Sequence, residues 1–130
     1  MRKKTILVID DEPAISKMIK RLLERENYKV DTAIDGDEAM LLLSRNIYDM
    51  IITDIIMPKK EGIEVITSVK KLYPGTKIIA MSGGGRFAPE GYLKAADILG
   101  ADKIFKKPFD HKEMLRTVNT LLNDAGTIKM

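Results

Sequence analysis

No cysteine occurs among the 130 residues. Disulfide frameworks and thiolate metal sites are therefore excluded. Tryptophan is absent too, and the aromatics amount to four tyrosines and three phenylalanines. A single-stranded nucleic-acid platform needs rings interleaved with a continuous basic face. Here the net charge of +3 comes with scattered pairs, Lys59-Lys60, Lys70-Lys71 and Lys106-Lys107. The expectation is a solvated surface with no direct nucleic-acid contact. The one histidine, His111, falls in the first turn of the last predicted helix, where an exposed residue is the default. No apolar run approaches the roughly 18 residues of a membrane span. Met1-Arg2-Lys3-Lys4 is basic, but Ile6-Leu7-Val8-Ile9 stops at two aspartates. That run is too short for a signal-peptide core and has no cleavage signature. Linkers, low-complexity segments and internal repeats are also missing.

What is present is a soluble globular balance, 45% hydrophobic and 32% charged. The length suits one domain with a real core, expected to be cytoplasmic. The stretch Met50-Ile51-Ile52-Thr53-Asp54-Ile55-Ile56-Met57-Pro58 stands at its centre. It reads as a strand buried on both faces that runs into an aspartate. Four further strands are predicted over 5–9, 29–33, 77–81 and 103–105. Helices are predicted over 13–26, 36–45, 61–72 and 89–99, and from Asp110 onward. Pro13 suits the first turn of the first helix. Asp110 suits the cap of the last, whose apolar face is Met114, Leu115, Val118, Leu121 and Leu122.

Five repeats of strand then helix, with no tight hairpin, require crossovers and hence a parallel α/β sheet with helices on both faces. Periodicity leaves the strand order open. All strand carboxyl ends then share one edge, where open sheets bind ligands. That edge gathers Asp10, Asp11, Asp54, Ser82 and the Lys106-Lys107-Pro108 run. Carboxylates so close stay ionised only around a cation. All-oxygen ligation favours a hard divalent ion, Mg²⁺ or Mn²⁺. A lysine and a hydroxyl suit the oxygens of a phosphoryl group. The implied chemistry is phosphoryl transfer to a carboxylate.

Asp10-Asp11-Glu12-Pro13, Asp54-Ile55-Ile56-Met57-Pro58, Met81-Ser82-Gly83 and Gly100-Ala101-Asp102-Lys103-Ile104-Phe105-Lys106-Lys107-Pro108-Phe109 closely resemble the motifs of the response-regulator receiver domain. The four fall in family order over about residues 4–124 of a single domain spanning 1–130, with a short frayed C-terminal tail. The resemblance implies a flavodoxin-like (βα)5 doubly wound sheet of order 2-1-3-4-5. It implies Asp54 as phosphoacceptor, Ser82 as switch hydroxyl and Lys107, directly before Pro108, as the site lysine. It implies metal ligation by Asp10, Asp11, Asp54 and the backbone carbonyl of Ile56. Asp11 would ligate directly and Asp10 largely through water. A cis Lys107–Pro108 bond is implied as well.

Two positions depart from the pattern. Ile104 stands where the family usually has an aromatic rotamer switch, so a smaller or differently routed shift is expected. The segment from Ser82 to Gly100 is a few residues longer than usual, carries three consecutive glycines, and is expected to be mobile without phosphate.

The chain is expected to be a stand-alone receiver or one excised from a hybrid kinase or a longer regulator, and the resemblance implies no enzyme beyond its own phosphorylation and dephosphorylation. A histidine kinase or histidine phosphotransfer protein would load it. Its output would be a protein target docked on the face of the 89–99 helix, the fifth strand and the last helix. The competing readings are a small aspartyl-phosphate phosphatase or phosphotransferase, a flavin or nucleotide binder on the same fold, and a degenerate receiver that acts as a docking module.

Overall fold

Two hydrophobic faces are sorted by strand alternation, because successive strand residues point to opposite sides of a sheet. In the computed structural model Leu7, Ile9, Ile51, Ile55, Ile78 and Ala80 face one side and pack with Ala39, Leu43, Val65, Ile66 and Val69. Their sequence neighbours Ile6, Val8, Met50, Ile52, Ile79 and Met81 face the other, against Ile19, Leu23, Met114, Val118 and Leu122. Burying each such large side chain contributes about 1.5–3 kcal/mol. The structure describes residues 2–55, 62–82 and 100–127, with side chains given as far as Asn123.

The elements are β1 (Thr5–Ile9), α1 (Pro13–Glu24), β2 (Lys29–Ala33), α2 (Gly36–Arg45), β3 (Met50–Asp54), α3 (Gly62–Leu72), β4 (Lys77–Ser82), β5 (Lys103–Lys106) and α4 (His111–Thr127). All strand pairs are parallel, in the order β2-β1-β3-β4-β5. Strand order, left open by periodicity, thus follows the resemblance. The helix expected over 89–99, the glycine loop and Ile56 lie outside the described residues. None of the described helices is long and apolar enough to cross a membrane.

Local chemistry sets the boundaries. Pro13 occupies the first turn of α1. Asp35 caps α2 by accepting from the Glu38 N–H at 2.8 Å, and Glu38 reaches back to the Ile34 N–H at 2.7 Å. Asp110 accepts from the Lys112 N–H at 2.9 Å ahead of α4. The β4–β5 connection closes on Gly100, whose φ of 104° is the left-handed conformation that favours glycine.

The amino-terminal edge of the sheet is tied by Asp49. Its carboxylate accepts from the Thr5 N–H at 2.8 Å and from Arg2 at 3.0 and 3.1 Å. Burial pushes this carboxyl up, but the Arg2 and Thr5 bonds outweigh it and hold it below the ordinary value of 3.8. A depressed carboxyl stabilises the fold above its unfolded pKa and loses that contribution as pH falls through its folded pKa. Asp49→Ala is therefore expected to lower the urea midpoint near neutral pH, with the gap to the native chain shrinking at about pH 3. A gap that held constant or widened in acid would refute this role.

Candidate functional site

The order β2-β1-β3 reverses the direction of chain progress between β1 and β3, and a crevice opens at the carboxyl ends of the strands there. Ile9 and Thr53 are paired in register. The next residue on each strand is an aspartate, so Asp10 and Asp54 stand side by side. Asp10 is fully buried and Asp54 is 6% exposed. Asp11, one residue further, is exposed. One carboxylate oxygen from each of the three lies within 4.8 Å of the others.

Lys107 enters from the far side of the sheet. Its N–H donates to the Ser82 carbonyl at 2.8 Å, which holds the chain just past β5 against the end of β4. The following bond to Pro108 is cis, as expected. From there the ammonium reaches Asp10 Oδ2 at 2.7 Å and Asp54 Oδ2 at 3.2 Å. Lys106, the last residue of β5, is exposed. Ser82 closes β4 at 4% exposure.

Ile104 is half-buried and packs on the α2–α3 side of the sheet, whereas Phe105 is buried on the α1–α4 side. The ring at 105 is therefore on the opposite face from the position that usually carries the switch aromatic. His111 is exposed.

One participant was not singled out from the sequence. The Glu12 carboxylate lies 3.5 Å from the Lys107 ammonium at the rim. Its N–H also donates to Asp10 Oδ1 at 2.9 Å. The signal available was the acidic run Asp10-Asp11-Glu12, in which only the first two residues were assigned.

The charges do not balance. Among the described residues, the Asp10, Asp11 and Asp54 cluster and Glu12 at its rim are accompanied by one ammonium, that of Lys107. Two carboxylates within 4.8 Å of each other repel by at least about 3.5 kcal/mol at an effective dielectric near 20. Burial is the main reason the Asp10 carboxyl is raised above 3.8, and the Lys107 and Glu12 bonds pull it back only in part. Burial works against the Lys107 ammonium, but the bond to Asp10 and the charge of Asp54 more than reverse it and raise its pKa above 10.5. A raised lysine keeps its proton throughout the neutral range and loses its stabilising charge only as pH rises through the folded pKa. The excess negative charge and the all-oxygen donor set fit a hard divalent cation bound by few protein ligands.

The family model described as the response regulator receiver domain matches residues 6–119. The transcriptional regulatory protein ResD of Bacillus subtilis is 38% identical over 121 residues, which cover 93% of this chain and 49% of ResD. The chain spans about half the length of the curated relatives it matches. The structure of a CheY-like response regulator receiver domain protein from Methanospirillum hungatei superposes with a TM-score of 0.87 at 28% identity, covering 95% of this chain and 96% of the other. Chemotaxis protein CheY4 of Vibrio cholerae gives 0.82 at 29% identity, covering 93% and 100%.

Proposed function

The chain belongs to the response regulator receiver domain family, and from that premise we propose that it takes a phosphoryl group onto Asp54. The donor is the phosphohistidine of a histidine kinase or of a histidine phosphotransfer protein. The observation that carries this reading is the convergence of Asp10, Asp11 and Asp54 around one point, with the Lys107 ammonium bridging Asp10 and Asp54. The relatives' names as transcriptional regulatory proteins support a signalling role.

An Asp54 carboxylate oxygen attacks phosphorus. The O–P bond forms as the P–N bond of the donor breaks, and the leaving imidazole takes up a proton from solvent. Negative charge accumulates on the phosphoryl oxygens during this transfer. Lys107 lies 3.2 Å from the acceptor, close enough to neutralise part of that charge. Ser82, at the end of β4, is the proposed hydroxyl that engages the finished aspartyl phosphate.

Asp10, Asp11, Asp54 and the Ile56 carbonyl are the proposed ligands of Mg²⁺ or Mn²⁺. Asp10 already accepts from the Glu12 N–H and from Lys107, which suits contact with the ion through water. When bound, the cation supplies the remaining charge neutralisation. Acting only on its own carboxylate, the domain is a signalling module and needs no substrate pocket.

Incubation with acetyl phosphate and Mg²⁺ is expected to raise the intact mass by one phosphoryl group. Peptide mapping should place it on the segment containing Asp54, and chelation should prevent it. Modification of another residue, or undiminished labelling without metal, would sink the assignment. Failure with acetyl phosphate, with beryllofluoride and with candidate kinases together would favour the docking-module reading.

A further inference from the structure

We propose that Thr53 is a positioning residue for the acceptor, its hydroxyl holding the Asp54–Ile55 peptide in the orientation that presents the Asp54 carboxylate to the donor. The inference rests on the acceptor reading above.

β3 is aliphatic up to Thr53, which is fully buried. A valine there would fill nearly the same volume without a hydroxyl to desolvate, and burying an unbonded hydroxyl costs free energy. The Thr53 hydroxyl is bonded, and its partner is specific. Oγ1 donates to the Asp54 carbonyl at 2.9 Å.

That carbonyl belongs to the peptide unit directly after the acceptor. The N–H of the same unit, on Ile55, donates to the Met81 carbonyl at 2.8 Å. Thr53 therefore holds one end of the plane and β4 holds the other. A third contact closes the arrangement. The Ile55 carbonyl accepts from the Gly62 N–H at 2.8 Å. Gly62 also lies against the Asp54 carbonyl so closely that a Cβ there would fall 2.0 Å from the oxygen. The ladder partner of Asp54 on β4 is Met81, and regular β3 ends at Asp54 itself.

The acceptor thus hangs from the last rung of a strand. Its Cα frame is fixed on one side by the sheet and on the other by this one peptide plane. Phosphoryl transfer depends on in-line geometry, and small displacements of a reacting group cost large factors in rate. A hydroxyl that stops the plane from rotating acts on the reaction without touching the phosphoryl group.

The test compares Thr53→Val with Thr53→Ser. Each is titrated with acetyl phosphate at saturating Mg²⁺, and denaturant unfolding is measured in parallel. Thr53→Val is expected to keep its half-saturating donor concentration and to lose about fivefold or more in the maximal phosphorylation rate. Thr53→Ser, which keeps the hydroxyl, should stay within about twofold of the native rate. A hydroxyl that served stability alone would shift the unfolding midpoint and leave the rate of the folded protein untouched.

A folded Thr53→Val chain that phosphorylates at the native rate would overturn the proposal. So would equal slowing in both variants, since Thr53→Ser keeps the hydroxyl and the slowing would then follow from any change of shape at this position and not from loss of the bond. If the valine variant does not fold, Thr53→Ala against Thr53→Ser asks the same question, because the two differ only by the hydroxyl. A native chain that gains no phosphoryl group counts against the acceptor reading instead and is told apart by that control.

Discussion

Lys107→Met is expected to slow phosphorylation of Asp54 by about 10²–10³-fold and to destabilise the metal-free fold at neutral pH. The rate estimate is that of removing one preorganised group aimed at developing transition-state charge. Lys107 meets that description, since its ammonium already touches the acceptor and the neighbouring Asp10. Methionine keeps most of the aliphatic stem, so packing is largely preserved and the charge is what changes.

The stability effect has a separate origin. Lys107 is 11% exposed and the Asp10 side chain fully buried. Removing one partner of such a pair leaves a buried charge uncompensated, at a cost of about 3 kcal/mol or more. The sign with pH is definite. Asp10 is already raised by burial despite the ammonium, and without Lys107 it must rise further. A carboxyl whose folded pKa is raised favours the fold when protonated, and that advantage is lost as pH rises through the folded pKa. The deficit of Lys107→Met should therefore open between acid and neutral pH. Mg²⁺ should reverse part of it, because a ligand that binds only the folded state stabilises that state. Phosphorylation within about threefold of native in this variant would remove Lys107 from the proposed transfer.

How far the sequence discloses this site depends on the kind of contact. Asp54 is legible because a run of apolar and β-branched residues ends on it, and such a run makes a buried strand whose terminus lies at the binding edge. Lys107 is told from Lys106 by the family resemblance, through its place before Pro108. The side-by-side placement of Asp10 and Asp54 needs the strand order, which periodicity leaves open and the family resemblance supplies.

Glu12 escaped for a different reason. An exposed acid beside a helix start is ordinary surface chemistry, and only the distance to Lys107 distinguishes it. The Thr53 hydroxyl and Gly62 escaped because their roles are contacts with a backbone carbonyl. A threonine in a strand satisfies β propensity and a glycine at a helix start satisfies turn chemistry. Neither residue type announces which peptide it presses on.

Gly62→Ala is where those two kinds of reasoning give opposite signs. At the start of α3, helix propensity alone favours alanine over glycine by up to about 1 kcal/mol. The added Cβ, however, would lie 2.0 Å from the Asp54 oxygen, 2.7 Å from Ile55 Cα and 2.9 Å from the Asp54 carbonyl carbon. All three are backbone atoms, so no side-chain rotation relieves the overlap. Either α3 or the end of β3 must retreat by about 1 Å to reach the 3.0 Å below which Cβ contacts essentially never occur. Overpacking against an immovable neighbour costs about 1–3 kcal/mol and sometimes more, which exceeds the propensity gain. Gly62→Ala is therefore expected to cost about 1–2 kcal/mol of stability, read as a lower denaturant midpoint.

The same retreat displaces the peptide plane that carries the acceptor. A misplacement of about 1 Å can cost a hundredfold in rate. The fraction that remains folded should then phosphorylate far more slowly than the native chain under identical donor and metal conditions. Unfolding monitored by circular dichroism, together with the rate of mass gain, reads both effects on one sample. A variant as stable as the native protein would mean that propensity wins and the backbone yields cheaply. A destabilised variant with a native rate would mean that α3 moves away and leaves the acceptor in place. Loss of both is the outcome expected when Asp54 is gripped by its own carbonyl between Thr53 and Gly62.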